Sequence, residues 1–204
     1  MLPDVVTAIP TDDVELAKAE LKRNPLYSKI PDDRKGWYID QSLTIGVQAA
    51  EEQLERGASI VSLYAQDGVE LIKRRSGAVS KQTALRSEIE FKKERSTVTV
   101  YLDSIDSIYE NGSRFAPKGL RLSRNKALEM HLAHEFFHFL EFSSGQTVSQ
   151  RLPKLEVGFL GRFKRHVEVN ETCEIAAQAF AKRFCSLEVL PTYYDLLYIK
   201  TREL

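Results

Sequence analysis

One pentapeptide limits the folds open to this chain more than any other stretch: His134-Glu135-Phe136-Phe137-His138, within the run MHLAHEFFHFLEF. Residues four apart on an α-helix are offset by roughly 40° and one turn, so both imidazoles leave the same face. Such a pair can hold one Zn²⁺ through nitrogens at about 2.0–2.1 Å. Glu135 is rotated by about 100° from His134, too far to share the coordination sphere but near enough to reach a metal-bound water. The flanking Leu128, Met130, Leu132, Ala133, Phe139, Leu140 and Phe142 make the helix apolar on nearly every side, as expected of a buried helix. Two histidines and a glutamate there cost several kcal/mol of desolvation unless something pairs with them. A metal ion is that partner.

Zinc in hydrolases takes three protein ligands and leaves a fourth position for water. The third has to come from elsewhere, and the segment NETCEIAAQAFAKRF offers Glu171 and Glu174. Ala177 and Ala181 follow Glu174 on its own helix face, where small residues let two helices approach closely. Glu171 has Glu174 as its i+3 neighbour, a more acidic face. Glu174 is favoured and Glu171 stays open. His131, three residues before His134, is expected to be packed or hydrogen-bonded. Glu141 either orients the His138 ring or is exposed at the helix end.

The 204 residues suit one domain, read as 1–204, with 1–58 a helical N-terminal segment of unknown role. Twenty-nine basic residues balance twenty-nine acidic ones, which argues against a nucleic-acid partner that would need phosphate neutralisation. No run of 18 apolar residues occurs, so no membrane span is expected. Cys173 and Cys185 on one helix would lie about 18 Å apart, beyond disulfide reach, and are expected to be free thiols outside the metal site. The start, MLPDVVTAIPTDD, lacks the basic and apolar stretches of a signal peptide. A cytoplasmic location follows, or a secreted one if a leader has been trimmed.

Helices are expected at 14–23 (capped by Asp12 or Asp13), 40–56 (closed by Gly57) and, less distinctly from a strand, 59–65. Strands are expected at 69–74, 85–91 and 97–102, with a polar loop at 76–82. A short helix at 103–114 leads to the long one, capped by Ser123 and stopped after Phe142 by Ser143-Ser144-Gly145. Residues 146–169 read as irregular with possible helical pieces. A helix at 171–187 and a short one after Pro191 complete the chain. The fold class is α+β, a small mixed sheet packed on the histidine helix and a later glutamate helix.

The run HLAHEFFHFLEF followed by EIAAQAFA resembles the gluzincin metallopeptidases, two histidines on one helix and a glutamate on a later one. It is similar to the ImmA/IrrE-like group, whose pattern is met by Ala133 to His138, Ala177 to Ala181 and Pro191. The E-x-x-A-x-A-F order from Glu174 to Phe180 is also similar to the anthrax lethal factor catalytic domain and the proline-specific endopeptidases related to it. The resemblance implies a zincin-like fold, with Zn²⁺ on His134, His138 and Glu174. It implies a peptide or protein substrate hydrolysed by a zinc-bound water that Glu135 activates. It puts His166 about where related proteins stabilise the oxyanion, though a solvent-exposed histidine suits that basic stretch too. It also implies that a strand beside the site, here 97–102, pairs with the substrate. The alternative is a regulatory or protein-binding module that keeps the metal site and cleaves nothing.

Overall fold

The computed structural model describes residues 8–75, 79–80, 83–84, 86–92, 95–159 and 163–201. The reading of residues 1–13 as no signal peptide falls partly outside them. Helix α1 (Asp13–Leu21) starts where Asp12 Oδ1 accepts the N–H groups of Val14 and Glu15 at 3.0 and 3.1 Å. Helix α2 runs Asp32–Leu54, eight residues earlier than the periodicity indicates. Pro31 at its N-cap has a preset φ, and Asp32 and Asp33 place negative charge at the positive helix end, so the polar segment is a helix start. Gly57 (φ 63°) and then Ser59, which caps the short α3 (Ile60–Gln66), carry the chain onward.

Strands β1 (Glu70–Arg74), β4 (Ser87–Glu90) and β5 (Thr97–Tyr101) form one sheet in the order β1-β5-β4. β1 runs parallel to β5 and β4 antiparallel to it. β5 is therefore the centre of the sheet with both edges paired, and it cannot be the substrate-pairing strand; among the described residues the open edge next to the histidine helix belongs to β4. Alternation reveals a strand but not whether its edges are free. Val79–Ser80 (β2), inside the expected polar loop, pairs antiparallel with Thr83–Ala84 (β3), just beyond it; residues 76–78 and 81–82 of that loop, and Leu85 at the start of the next expected strand, lie outside the described residues.

Helix α4 (Leu102–Phe115) leaves β5 directly. Helix α5 (Arg124–Ser144) follows, Ser123 Oγ accepting the Lys126 N–H and Gly145 closing it at φ 70°. The segment expected to be irregular holds a one-turn helix α6 (Val148–Arg151) and an antiparallel hairpin, β6 (Leu155–Phe159) with β7 (Phe163–Val167). Gly158 and the basic residues Lys164 and Arg165 disguise the alternation there. Helices α7 (Glu171–Cys185) and α8 (Thr192–Thr201) end the description. The fold is α+β. Among the described residues no helix is long and apolar enough to cross a membrane.

One buried cluster spans α1 to α8. Its centre is α7, packed on α5 through Phe180 against Phe136 and Phe137, and on α2 at Gly46. A Cβ at Gly46 would stand 2.1 Å from the Ala176 carbonyl oxygen, so glycine permits this approach. Tyr64 of α3 is buried against Phe136 and donates to the Leu132 carbonyl at 2.7 Å. These contacts fix where α5 and α7 present their polar side chains.

Candidate metal centre

His134 and His138 project from one face of α5, and Glu174, in the first turn of α7, meets them. The two Nε2 atoms are 3.2 Å apart. Glu174 Oε2 is 3.3 Å from His134 Nε2, and its Oε1 is 3.5 Å from His138 Nε2. Tetrahedral ligands at about 2.0–2.1 Å from a zinc ion lie roughly 3.3–3.4 Å from one another. Each histidine nitrogen thus stands at that ligand-to-ligand spacing from the other and from its own oxygen of the Glu174 carboxylate, and one donor atom from each residue lies within 4.8 Å of the other two. His/His/carboxylate is also a donor set that zinc accepts, so the residues fit the ion.

The surroundings favour a cation. Burial works against charge on His138, but its hydrogen bonds to Glu141 and Glu174 outweigh that and raise the ring to about 10. Burial likewise opposes ionisation of Glu174, yet hydrogen bonds from both histidines hold its carboxyl well below the usual carboxylate range. Glu141 is the orienting carboxylate. Its Oε2 is 3.0 Å from His138 Nδ1 and its Oε1 accepts the Val148 N–H at 2.7 Å, so His138 turns Nε2 toward the cluster.

Glu171 is not in the cluster. Its carboxylate accepts from the Asn24 side chain. Glu135 is buried beside His134, with Oε1 accepting from Ser87 Oγ of β4 at 2.8 Å. His131 donates Nδ1–H to the Ala127 carbonyl at 2.7 Å, and burial and the nearby Arg86 lower its ring to about 4. His166 is not brought to the site: it lies on β7, its side chain 63% exposed and 3.8 Å from Glu156, because the hairpin faces it outward. Both cysteines are free; burial pushes Cys173 up to about 11 and Cys185 up to about 12.

Two cavities open on either side of the cluster and Glu174 lines both. The smaller, about 190 Å³, is polar and includes His134, Glu135, Ser87 and Arg86. The larger, about 460 Å³, includes His138, Ile89, Phe91 and Phe142. A groove of about 430 Å³ between α2 and the end of α7 shares no residue with the cluster.

Sequence reasoning missed several residues here. Glu20 of α1 is buried, and burial, with a contribution from Glu174, raises its carboxyl although Arg23 opposes this. It sits on the same helix stripe as Leu16, Ala17 and Leu21, and an acid on an apolar stripe was the available signal. Arg23 beside it lines the polar cavity, so the N-terminal segment contributes to the site. Nothing local marks Ser87 or the Arg86–Asp195 ion pair (2.7 Å). No protein-family model, curated protein or solved structure matches the chain, so the chemistry of the site stands on its own geometry.

Proposed function

We propose that the chain is a zinc-dependent peptidase of zincin-like fold with a gluzincin ligand set, His134, His138 and Glu174. The observation that carries this reading is the convergence of both Nε2 atoms and the two oxygens of the Glu174 carboxylate, at 3.2–3.5 Å, beside a second buried carboxylate, Glu135, that takes no part in it. A closed structural zinc site has four protein ligands and no use for a base.

Zinc, when bound, supplies a Lewis acid that polarises a carbonyl and makes water acidic near neutral pH. The protein's own groups do the rest. Ser87 fixes Glu135 by donating to Oε1, which leaves Oε2 to take the proton of the attacking water. As the new C–O bond forms and the C–N bond breaks, Oε2 returns that proton to the departing amine. Glu141 holds the His138 ring in place. The open edge of β4 offers an extended peptide its backbone hydrogen bonds.

Glu135→Gln keeps the shape and removes the proton acceptor. It is expected to retain zinc and fold while cleavage of a blocked peptide library falls by about 10²–10⁴-fold. Activity within about tenfold of the parent sinks the mechanism. A zinc-bound protein that cleaves no peptide at all is the regulatory module instead.

A further inference from the structure

Both elements that frame the cleft run on into a phenylalanine. Phe142 stands one turn after His138 on α5, a separation that keeps the two side chains on one helix face. Phe91 directly follows β4 and holds the next alternate position after Ser87 and Ile89. The two rings meet, with centroids 4.0 Å apart and planes inclined by 16°. Stacking has not hidden them, since Phe91 is 38% exposed and Phe142 50%. Phe136, Phe137, Phe180 and Phe184, which also meet in pairs, are buried. A pair that served only the core would be buried like them.

With Ile89, the two rings form the apolar wall of the larger cavity, which His138 and Glu174 also line. The charged groups lining this cavity among the described residues are His138 and three carboxylates, and all are paired. Glu141 and Glu174 are engaged with the histidines, and Glu168 with Lys154 at 2.8 Å. An acidic guest would add a fourth carboxylate, and a basic one would have to draw a glutamate from its partner. An aromatic or long aliphatic guest would take the exposed ring faces out of water without breaking any of those pairs. The polar cavity gives no such preference. Arg23 and Arg86 there stand against Glu135, Glu174 and Asp195, so guests of either sign find a partner.

Ile89 lies on the open edge strand, so a peptide paired with β4 would run alongside the cavity, and the side chain that enters it would neighbour the bond held at the cluster. Resting on the peptidase reading, we propose that Phe91 and Phe142 are specificity-determining residues. They take a large apolar side chain, aromatic or long aliphatic, from the substrate residue flanking the scissile bond. One methylene more or less in an apolar pocket changes selectivity by about 10–200-fold. A wall open to solvent on one side belongs at the lower end of that range.

The experiment uses a library of blocked heptapeptides in two readouts. One is cleavage by the zinc-loaded protein; the other is retention on immobilised, zinc-loaded Glu135→Gln, which does not depend on turnover. Both are expected to enrich Phe, Leu or Met at one position beside the cleaved bond, about tenfold over Ala, Asp or Lys. Phe142→Ser, at an exposed position, should erase that enrichment with zinc content unchanged, and Phe142→Glu should turn it toward Lys or Arg. Phe91→Ser repeats the first test from the other ring. Val61→Ser, exposed on α3 outside both cavities, should leave the selection intact. Cleavage or retention with no apolar enrichment, with a charged residue preferred, or with enrichment that survives both Phe-to-Ser substitutions overturns the proposal and leaves the peptidase reading standing. Selective retention that Phe142→Ser erases, without cleavage by the parent, supports the apolar site and overturns the peptidase reading. Neither retention nor cleavage overturns both.

Discussion

On one wall of the cleft, α7 packs against α5 and, on its other side, lies so close to α2 that a single methyl group at Gly46 would overlap the Ala176 carbonyl. On the other, β4 has an open edge, and the nearby β6–β7 hairpin is laced by exposed ion pairs, Lys154–Glu168 and Lys164–Glu156 at 2.8 Å. Exposed pairs of that kind contribute about 0–1 kcal/mol each. Close packing of buried apolar side chains tolerates little displacement. The three ligand residues, which must agree within tenths of an ångström, all stand on the packed wall. Residues that only greet a guest stand on the looser one.

That contrast can be broken in four places. The largest effect is expected from Glu174→Gln, which should abolish stoichiometric zinc by elemental analysis, whereas Glu171→Gln should keep it. The opposite pattern would mean that Glu171 leaves Asn24 and takes the ligand position. Next is Gly46→Ala, expected to lower stability by about 1–3 kcal/mol in urea denaturation and to loosen zinc, since the neighbour it meets is backbone. An unchanged midpoint would show that the packed wall yields. Glu141→Gln weakens the hold on His138 and should cost about 10–100-fold in zinc affinity by chelator competition. Smallest is His166→Ala on the hairpin, with stability changed by less than about 0.5 kcal/mol and cleavage unaltered. A loss beyond about tenfold would return His166 to the oxyanion role that the resemblance implies.

The same division separates what could be read in the sequence from what could not. Helix α5 was legible to its ends because Ser123, Gly145 and the histidine spacing are local signals. The choice of Glu174 over Glu171 rested on Ala177 and Ala181, both fully buried, which is again a pattern along one helix. Apart from the early start of α2, the misreadings of secondary structure concern strands. That β5 is central and β4 marginal depends on β1 arriving in parallel from another part of the chain. The β6–β7 hairpin is built from residues whose charges pair only after the strands meet. Ser87, Arg86 and Asp195 acquire their places through contacts 48 and more residues apart in sequence, which no periodicity records.

The open edge of β4 carries a risk of its own. A strand edge that accepts a peptide also accepts the same edge of another molecule, and repetition of that event is how sheets grow into aggregates. β4 is four residues long, and two of them are exposed glutamates, Glu88 accepting from the Tyr101 hydroxyl and Glu90 paired with Lys92 at 2.9 Å. Two copies placed edge to edge in antiparallel fashion would bring those four carboxylates together across a few ångströms, where like charges repel. A short edge with two acidic positions thus opposes pairing with its own kind more than pairing with a guest that lacks that pattern.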